Sequence, residues 1–429
     1  MIINRLRRLV ENITIPVLAV ILGLLASVFF VALANADPIQ TYRNLFCEGF
    51  GPQGCETFSD LVIIRVEQED GTSQSFFSPF YGENGHSLAI VIERATILIL
   101  TALSATVAFK AGMFSIGMDG QLVLGALTAV FLGVWLPKQI YALAGVPDAD
   151  SAPEALRTIM HLIVPLICIL AAMTVGAFYS WIAGFLKVKL NVNELISTII
   201  LNSIATQVAI WLIAFPLRSP DPNSTPRTDR IDDTAWLIPF NRVLLPDVEW
   251  LEGARVGIGI VFALIALVVI GIYLYRTTAG YEQRMTRGSR LFARFGGIPS
   301  DRAAIRAMLI SGALSGLAGA IQILGVDRRV VGEFASVGYG FDGVLVAILA
   351  RESIAGILLV ACFYAGLQQG ATNLQFGNLP RQLGGIIIAF IILFNSMENF
   401  FRSNIARLQS RIRPNRGQAA PESASGATS

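Results

Sequence analysis

The sequence predicts an all-α protein: a polytopic transmembrane helical bundle of about ten segments, with discontinuous helices in an inverted repeat and a small external β-hairpin insert. Of the 429 residues, 54% are hydrophobic and 14% are charged, and the mean hydropathy is +0.62. This composition excludes an ordinary soluble domain. Apolar runs of about twenty residues, the length that crosses a bilayer, recur along the chain.

Arginine residues concentrate in three stretches, which predict the orientation of the chain. They precede the first apolar run (5–8), crowd one loop (276–306) and follow the last apolar run (402–416). The positive-inside rule places such stretches on the cytoplasmic side of a membrane. Both termini and this loop are therefore expected in the cytoplasm.

The chain divides into six predicted regions. Residues 1–34 form a basic lead and a first, retained membrane helix (13–33), and residues 35–85 form an insert outside the membrane. The first part of the transmembrane core covers 86–275, with segments over 87–109, 113–136, 161–186, 193–215 and 256–275. A cytoplasmic loop covers 276–303. The second part covers 304–401, with segments over 304–325, 341–349, 353–371 and 383–401, and a disordered tail rich in Ser, Ala, Gly and Pro covers 402–429.

The external insert carries the two cysteine residues that lie outside apolar runs. Residues 61–77 read as two β-strands around a turn at 69–71, which predicts a hairpin. Cys47 and Cys55 lie in a predicted polar loop that the charge bias places outside the cell, where a disulfide can persist. They are the disulfide candidate, whereas the two cysteines in apolar runs are expected to be packing residues.

A short Asp-Gly motif occurs twice, each time at the start of an apolar run. Residues 117–120 read GMDG and residues 340–343 read GFDG, and each is followed after one residue by Leu-Val. Glycine-broken helices in two halves of a membrane protein indicate a pathway at the repeat interface, lined here by Asp119, Gln121 and Asp342. On the predicted orientation the repeats are inverted. Helix caps without solute contact, or chance similarity among small residues, are the alternatives.

A polar stripe follows one face of the predicted segment over 193–215. Asn193 and Glu194 begin this stripe. Thr198 and Asn202 follow Glu194 by four and eight residues, which places them on the same helix face. Neutral amides and hydroxyls suit a hydroxyl-rich or nucleobase-like solute better than an ion, so these residues join the predicted pathway. The alternative is that they bond between packed helices.

The basic loop contains an amphipathic stretch over 282–295. Two structures are possible for this stretch: a helix that docks on a partner protein, or a solvated loop on the lipid surface. Its aromatic residues and the glycine residues spaced along the loop favour the docking helix. The residues expected in this contact are Tyr281, Glu282, Arg284, Arg290, Phe292, Phe295 and Gly297.

Motifs for chemistry are not found in the sequence. It contains no P-loop, no HExxH pattern, no Ser-His-Asp arrangement and no histidine with metal-ligand neighbours. The chain is therefore expected to hold no metal and no cofactor, and a membrane-embedded enzyme is disfavoured.

Five stretches resemble, in the same order, the permease subunit of a bacterial ABC importer. The match is to the simple-sugar and nucleoside group, within the superfamily that includes ribose and branched-chain amino-acid permeases. The stretches are 109–126, 187–205, 276–281 with Gly297, 313–320 and 338–349. The departures are Asp119 for the group's usual Glu, Ser115 for Asn, Met285-Thr286-Arg287 for Ala-Val-Gly and Ala350-Arg351 for Gly-Gly.

The resemblance implies a multi-pass permease of the bacterial cell membrane that imports nucleosides or related simple sugars by alternating access. It also implies the partners: ABC ATPase subunits, which bind the ATP and dock on the cytoplasmic loop; a second permease subunit, identical or homologous; an extracytoplasmic solute-binding lipoprotein; a small polar solute; and the lipid bilayer, with no nucleic acid. The alternative is an ion- or proton-coupled secondary transporter that uses Asp119, Glu194 or Asp342.

Overall fold

The computed structural model describes residues 20–51, 63–67, 73–77, 86–146, 151–220, 225–238, 256–332, 334, 338–374 and 381–397, and the described chain is almost entirely helical. The helices are α1 (Val20–Leu33), α2 (Pro38–Phe50), α3 (His86–Lys110), α4 (Met118–Ala144), α5 (Glu154–Leu190), α6 (Glu194–Ala214), α7 (Gly259–Arg276), α8 (Thr278–Gly288), α9 (Arg290–Phe295), α10 (Ser300–Ile321), α11 (Tyr339–Leu349), α12 (Ile354–Asn373) and α13 (Arg381–Ser396). The strands are β1 (Ile63–Glu67) and β2 (Ser73–Phe77), and a π-helical turn (Gln322–Asp327) continues α10.

Seven helices of the described chain are long and apolar enough to cross a membrane, or eight if α1 and α2 together form one span. The seven are α3 to α7, α10 and α12. The apolar helix α11 and the apolar part of α13 are shorter. A multi-pass helical membrane protein is therefore confirmed, whereas the count of ten segments and the inverted repeat stay predictions.

Two predicted boundaries at one loop are wrong. The predicted segments over 113–136 and 161–186 leave a polar loop over 137–156 between them, but α4 continues through Pro137 to Ala144, and Gly145 ends it with a left-handed φ of 69°. Helix α5 begins at Glu154. A proline removes only one backbone hydrogen bond donor, and the Ala, Leu, Lys and Gln residues that follow it favour helix, so α4 passes through it.

Helix α3 is the centre of the bundle. Every side chain from Ala95 to Phe109 is buried, which is typical of a helix that is apolar on all faces. Around it, α5 and α10 approach through small residues. A Cβ on Gly176 would lie 2.3 Å from the carbonyl oxygen of Gly312, so the two backbones are in direct contact, as in other membrane helix pairs.

The chain divides into two compact units, residues 1–35 with 386–429, and residues 36–385. In the first unit, α1 packs closely on the C-terminal part of α13. A Cβ on Gly23 would lie 2.7 Å from the Cα of Ile391. All candidate site residues named from the sequence belong to the second unit.

The predicted polar loop around Cys47 is wrong, because this stretch forms helix α2. It packs on α12 through glycine, and a Cβ on Gly49 would lie 2.3 Å from the carbonyl oxygen of Gly366. Cys47 is buried and disulfide-bonded. Cys55 lies outside the described residues, so its pairing with Cys47 stays a prediction.

Strands β1 and β2 pair antiparallel, with Ile63 opposite Phe77 and Glu67 opposite Ser73. They lie within the stretch for which the sequence predicts a hairpin. Its turn at 69–71, the basic lead before residue 20 and the predicted tail at 402–429 lie outside the described residues. The external position of this segment stays a prediction.

Candidate functional site

The two Asp-Gly motifs meet at the starts of their helices. Asp119, in the first turn of α4, accepts hydrogen bonds from the backbone amides of Gly340 (2.7 Å, to Oδ1) and Phe341 (3.2 Å, to Oδ2). Both amides lie in the first turn of α11, where a helix leaves its N–H groups without intrahelical partners. The carboxylate also interacts favourably with the positive end of the helix dipole. Asp119 therefore caps a helix that lies far away in the sequence.

This contact requires glycine at position 340. A Cβ there would lie 2.3 Å from the backbone nitrogen of Asp119 and 2.5 Å from the carbonyl carbon of Met118, closer than a real Cβ can approach. The starts of α4 and α11 are thus in backbone contact. Helix N-termini that meet inside a membrane protein form the kind of junction at which transporter substrate sites are found.

The second aspartate of the repeat binds to side chains instead. Asp342 accepts hydrogen bonds from the hydroxyl of Tyr364 (2.8 Å) and from Nε2 of Gln368 (2.7 Å), both on α12. These two residues were missed in the sequence analysis. Their spacing of four residues on one helix face was the available signal.

The polar stripe on α6 bonds to the segment between α3 and α4. Asn202 accepts a hydrogen bond from the Gly120 amide (2.9 Å) and donates Nδ2 to the carbonyl oxygen of Ile116 (2.7 Å). Thr198 Oγ1 accepts from the Ile116 amide at 3.3 Å. The stripe therefore fixes the entry into α4, which is the interhelical bonding that the sequence analysis left open as the alternative.

Gln121 has spare hydrogen-bonding capacity at this junction. Gln121 is 2% exposed, and its side-chain oxygen Oε1 has no hydrogen-bond partner in the described part of the chain. An unpaired buried amide oxygen costs free energy, which a bound water molecule or a solute hydroxyl would recover.

Asn193 and Glu194 lie at the start of α6, away from the junction. Asn193 Oδ1 caps α6 by accepting from the Leu195 amide at 2.9 Å, and Glu194 pairs with Lys187 at 2.8 Å. Glu194 precedes Asn202 by about 12 Å along the helix axis. The structure thus brings five predicted pathway residues to the junction: Asp119, Gln121, Thr198, Asn202 and Asp342.

The predicted docking stretch consists of two short helices, α8 and α9. Ser289 separates them and caps α9 by accepting from the Phe292 amide at 3.3 Å. Three aromatic side chains are exposed here: Tyr281 (52%), Phe292 (67%) and Phe295 (89%). Large exposed apolar side chains grouped in a short segment mark an interaction surface.

The charged residues of this stretch bind within the protein. Glu282 pairs with Arg306 of α10 at 3.0 Å, and Nη2 of Arg290 lies 2.7 Å from Sδ of Met113. Gly297 has a left-handed φ of 77° after α9, a conformation that glycine adopts without strain. Glu282 and Arg290 thus bond to the rest of the protein beside the exposed aromatic side chains, and the docking role of these residues stays a prediction.

The side of α8 that faces the bundle carries a residue that the sequence analysis missed. Gln283 is fully buried; it donates to the carbonyl oxygen of Val107 at 2.6 Å and accepts from the hydroxyl of Tyr273 at 2.9 Å. Arg284 lies 5.4 Å from the ring centre of Tyr275, within the range of a cation–π contact. No sequence pattern marked Gln283, because a lone glutamine in a basic loop usually faces solvent.

Membrane-spanning helices around a partly buried polar junction, with exposed aromatic side chains on a short segment, are typical of a membrane transport protein. Residues 87–395 match the family model of the branched-chain amino acid transport system permease component, and the chain belongs to this family. The match covers the bundle from α3 to α13.

Named relatives of this chain are ABC transporter permeases. It is 28% identical to a guanosine ABC transporter permease protein of Bacillus subtilis, over 94% of this chain and 98% of that protein. It is 28% identical to a nucleoside ABC transporter permease protein of Lactococcus lactis, over 90% of each. It is 31% identical to a glucose ABC transporter permease protein of Haloferax volcanii, over 80% of this chain and 84% of that one. No solved structure matches the chain.

The predicted class is therefore confirmed. The chain is the permease subunit of an ABC importer, a transport subunit rather than an enzyme. Membership of this family implies ATPase and substrate-binding partners.

Proposed function

We propose that this permease takes up nucleosides or related simple sugars. The relatives named for guanosine and for nucleosides align with this chain over at least 90% of both chains. A third relative is named for glucose, so the proposed solutes include simple sugars. The neutral hydrogen-bonding groups of Gln121 and Asn202 suit the hydroxyls and ring nitrogens of such solutes. A second permease subunit, ABC ATPases and an extracytoplasmic lipoprotein complete the importer.

The observation that carries this proposal is the capping of α11 by Asp119. Helix α11 has 11 residues, about 16 Å, too short to cross a bilayer. It begins where α4 begins, so the two helices can separate at this contact as rigid pieces. Separation would expose Gln121 and Asp342 to a solute, first from one side and then from the other. This is alternating access around discontinuous helices in an inverted repeat.

ATP drives the cycle from the cytoplasmic side. The aromatic side chains of Tyr281, Phe292 and Phe295 dock in the ATPase subunits, which bind the nucleotide. Closure of the ATPases then displaces α8 and α9. In this arrangement both termini lie in the cytoplasm, and the protein lies in the bacterial cell membrane.

A second candidate function is favoured by one observation, the two partly buried carboxylates of Asp119 and Asp342 at the same junction. Carboxylates inside a membrane protein are typical of ion or proton sites. In a secondary transporter these groups would bind the coupling ion. Both carboxylates already bind protein donors, which favours the structural role.

The test is uptake of radiolabelled guanosine, adenosine and ribose into vesicles that carry the assembled importer. A matched preparation carries an ATPase subunit that cannot hydrolyse ATP. Nucleoside uptake that disappears in this preparation supports the proposal. Uptake of ribose alone would indicate that the substrates are sugars rather than nucleosides. Uptake that persists without ATP hydrolysis and follows an ion gradient would support the secondary transporter.

A further inference from the structure

The turn between α11 and α12, residues 350–353, contains a carboxylate for which the transport cycle above has no role. The Arg351 amide donates to the Ile348 carbonyl oxygen (3.0 Å), and the Glu352 amide donates to the Ala347 carbonyl oxygen (2.9 Å), the two bonds of a Schellman motif. Arg351 and Glu352 have left-handed φ angles of 52° and 55°, uncommon outside glycine. The turn therefore fixes Glu352 just beyond the end of α11.

Glu352 binds cations from two other elements. Arg287, on α8, forms a bidentate pair with it, in which Nη2 donates to Oε1 at 2.9 Å and Nη1 donates to Oε2. Lys110, at the end of α3, has Nζ 3.8 Å from Oε2. The side chains of Glu352 and Lys110 are 15% and 14% exposed, so water screens their contact less than it screens a surface ion pair. The Arg287 side chain is 50% exposed, and the two hydrogen bonds of its bidentate pair fix its geometry.

Helix α11 is thus held at both ends, by Asp119 at its start and by Glu352 just after its end. A displacement of α8 would therefore be transmitted through α11, a short helix, to the contact between Asp119 and Gly340. A second ion pair of similar chemistry, between Arg294 and Asp301, joins α9 to the start of α10 instead. That pair is the natural comparison, because it lies in the same region and is not part of α11.

We propose that Glu352 is a positioning residue that couples α8 to α11 during transport. The inference rests on the proposed function, because it takes the ATPases as the source of the movement of α8. Glu352 touches no solute. It keeps Arg287 and the end of α11 together, so that displacement of the docking segment separates α11 from Asp119.

The first test uses the assembled importer in vesicles, with the variants Glu352→Gln, Arg287→Gln and both together. Because Glu352→Gln removes the charge but keeps the shape and the turn, ATPase co-purification and basal ATP hydrolysis are expected to be unchanged. Uptake is expected to fall about tenfold. The double variant should be no worse than Glu352→Gln alone, because Arg287 acts through Glu352. Asp301→Asn should leave uptake unchanged.

The second test needs no knowledge of the solute. Phe341, in the first turn of α11, is 48% exposed, and Phe341→Cys would report movement there by its rate of maleimide labelling. Labelling of the chain without this change corrects for the native cysteines. The rate is expected to differ between ATP-free and ATP-bound complexes, and to lose this difference once Glu352→Gln is added.

The outcomes separate the two proposals. ATP-dependent labelling or full uptake in the Glu352→Gln variant would overturn the coupling inference and leave the importer intact. A wild-type chain that co-purifies with no ATPase would refute the proposed function, and the coupling inference with it. Loss of uptake and of ATP-dependent labelling with hydrolysis retained supports both.

Discussion

The amide of Gly340 donates a 2.7 Å hydrogen bond to the carboxylate of Asp119, across 221 residues of sequence. This bond shows that the two Asp-Gly motifs differ in their contacts. Asp119 caps the other motif's helix, whereas Asp342 binds side chains of α12. The amide of Gly120, in the first turn of α4, is bound by Asn202 instead. Two similar sequences thus form one asymmetric junction.

Replacing Asp119 by alanine is expected to lower the free energy of unfolding by about 1–2 kcal/mol, since two helix-start amides lose their acceptor. Asp119→Asn keeps an acceptor oxygen and should lose less. Thermal unfolding in detergent, followed by tryptophan fluorescence, measures both variants. An alanine variant as stable as wild type would contradict the capping role.

The close approach at Gly340 gives a second prediction. Gly340→Ala is expected to cost roughly 1–3 kcal/mol of stability, because its Cβ must displace the backbone of α4. Gly325→Ala is the matched control, since a Cβ on Gly325 meets nothing within 4 Å. The same unfolding measurement applies. Equal effects of the two substitutions would show that the helix starts can separate freely in the folded state.

Some of this architecture could be predicted because the bilayer leaves few choices. A long apolar run must form a helix there, since every backbone amide needs a partner within the segment. The span predicted over 87–109 is therefore observed as α3, His86–Lys110, within one residue at each end. The short segment predicted over 341–349 is observed as the 11-residue helix α11, Tyr339–Leu349.

The partners of polar residues could not be predicted in this way. Helical periodicity places Thr198 and Asn202 on one face, but it does not say which backbone group that face will meet. The Asn202 amide bonds to Ile116 and Gly120, which only the tertiary fold brings near it. The stretch around Cys47 was predicted as a loop from its polarity, because its packing on α12 depends on glycines far away in sequence.

The exposed aromatic side chains of α9 lead to a prediction about assembly. Phe292→Ser with Phe295→Ser should lower co-purification of ATPase subunits, because most of the apolar docking surface is lost, and should leave membrane insertion intact. Leu143→Ser is the control: Leu143 is as exposed as Phe295, 89% in each case, but lies near the end of α4. Unchanged co-purification in the double serine variant would refute the docking assignment.

The disulfide at Cys47 can be tested chemically. Mass spectrometry of non-reduced peptides is expected to find Cys47 linked to Cys55, and reduction should lower the free energy of unfolding by about 2 kcal/mol, since the bond closes a short loop. Cys362→Ser is the control, because Cys362 is free and its loss should not change the effect of reduction. Free thiols at both Cys47 and Cys55 in the purified protein would reject this pairing.

The turn after α11 offers a stabilising substitution. Arg351 occupies the C′ position of a Schellman motif with a φ of 52°, where glycine is strongly preferred because it has no Cβ to clash. Arg351→Gly is therefore expected to raise the free energy of unfolding by about 1 kcal/mol. Arg351→Ala removes the same side-chain contacts but keeps the Cβ, so it should give no gain. Equal stability of these two variants would show that backbone strain at this turn is negligible, whereas a gain confined to glycine would show that the chain tolerates the strain to hold Glu352 beside Arg287.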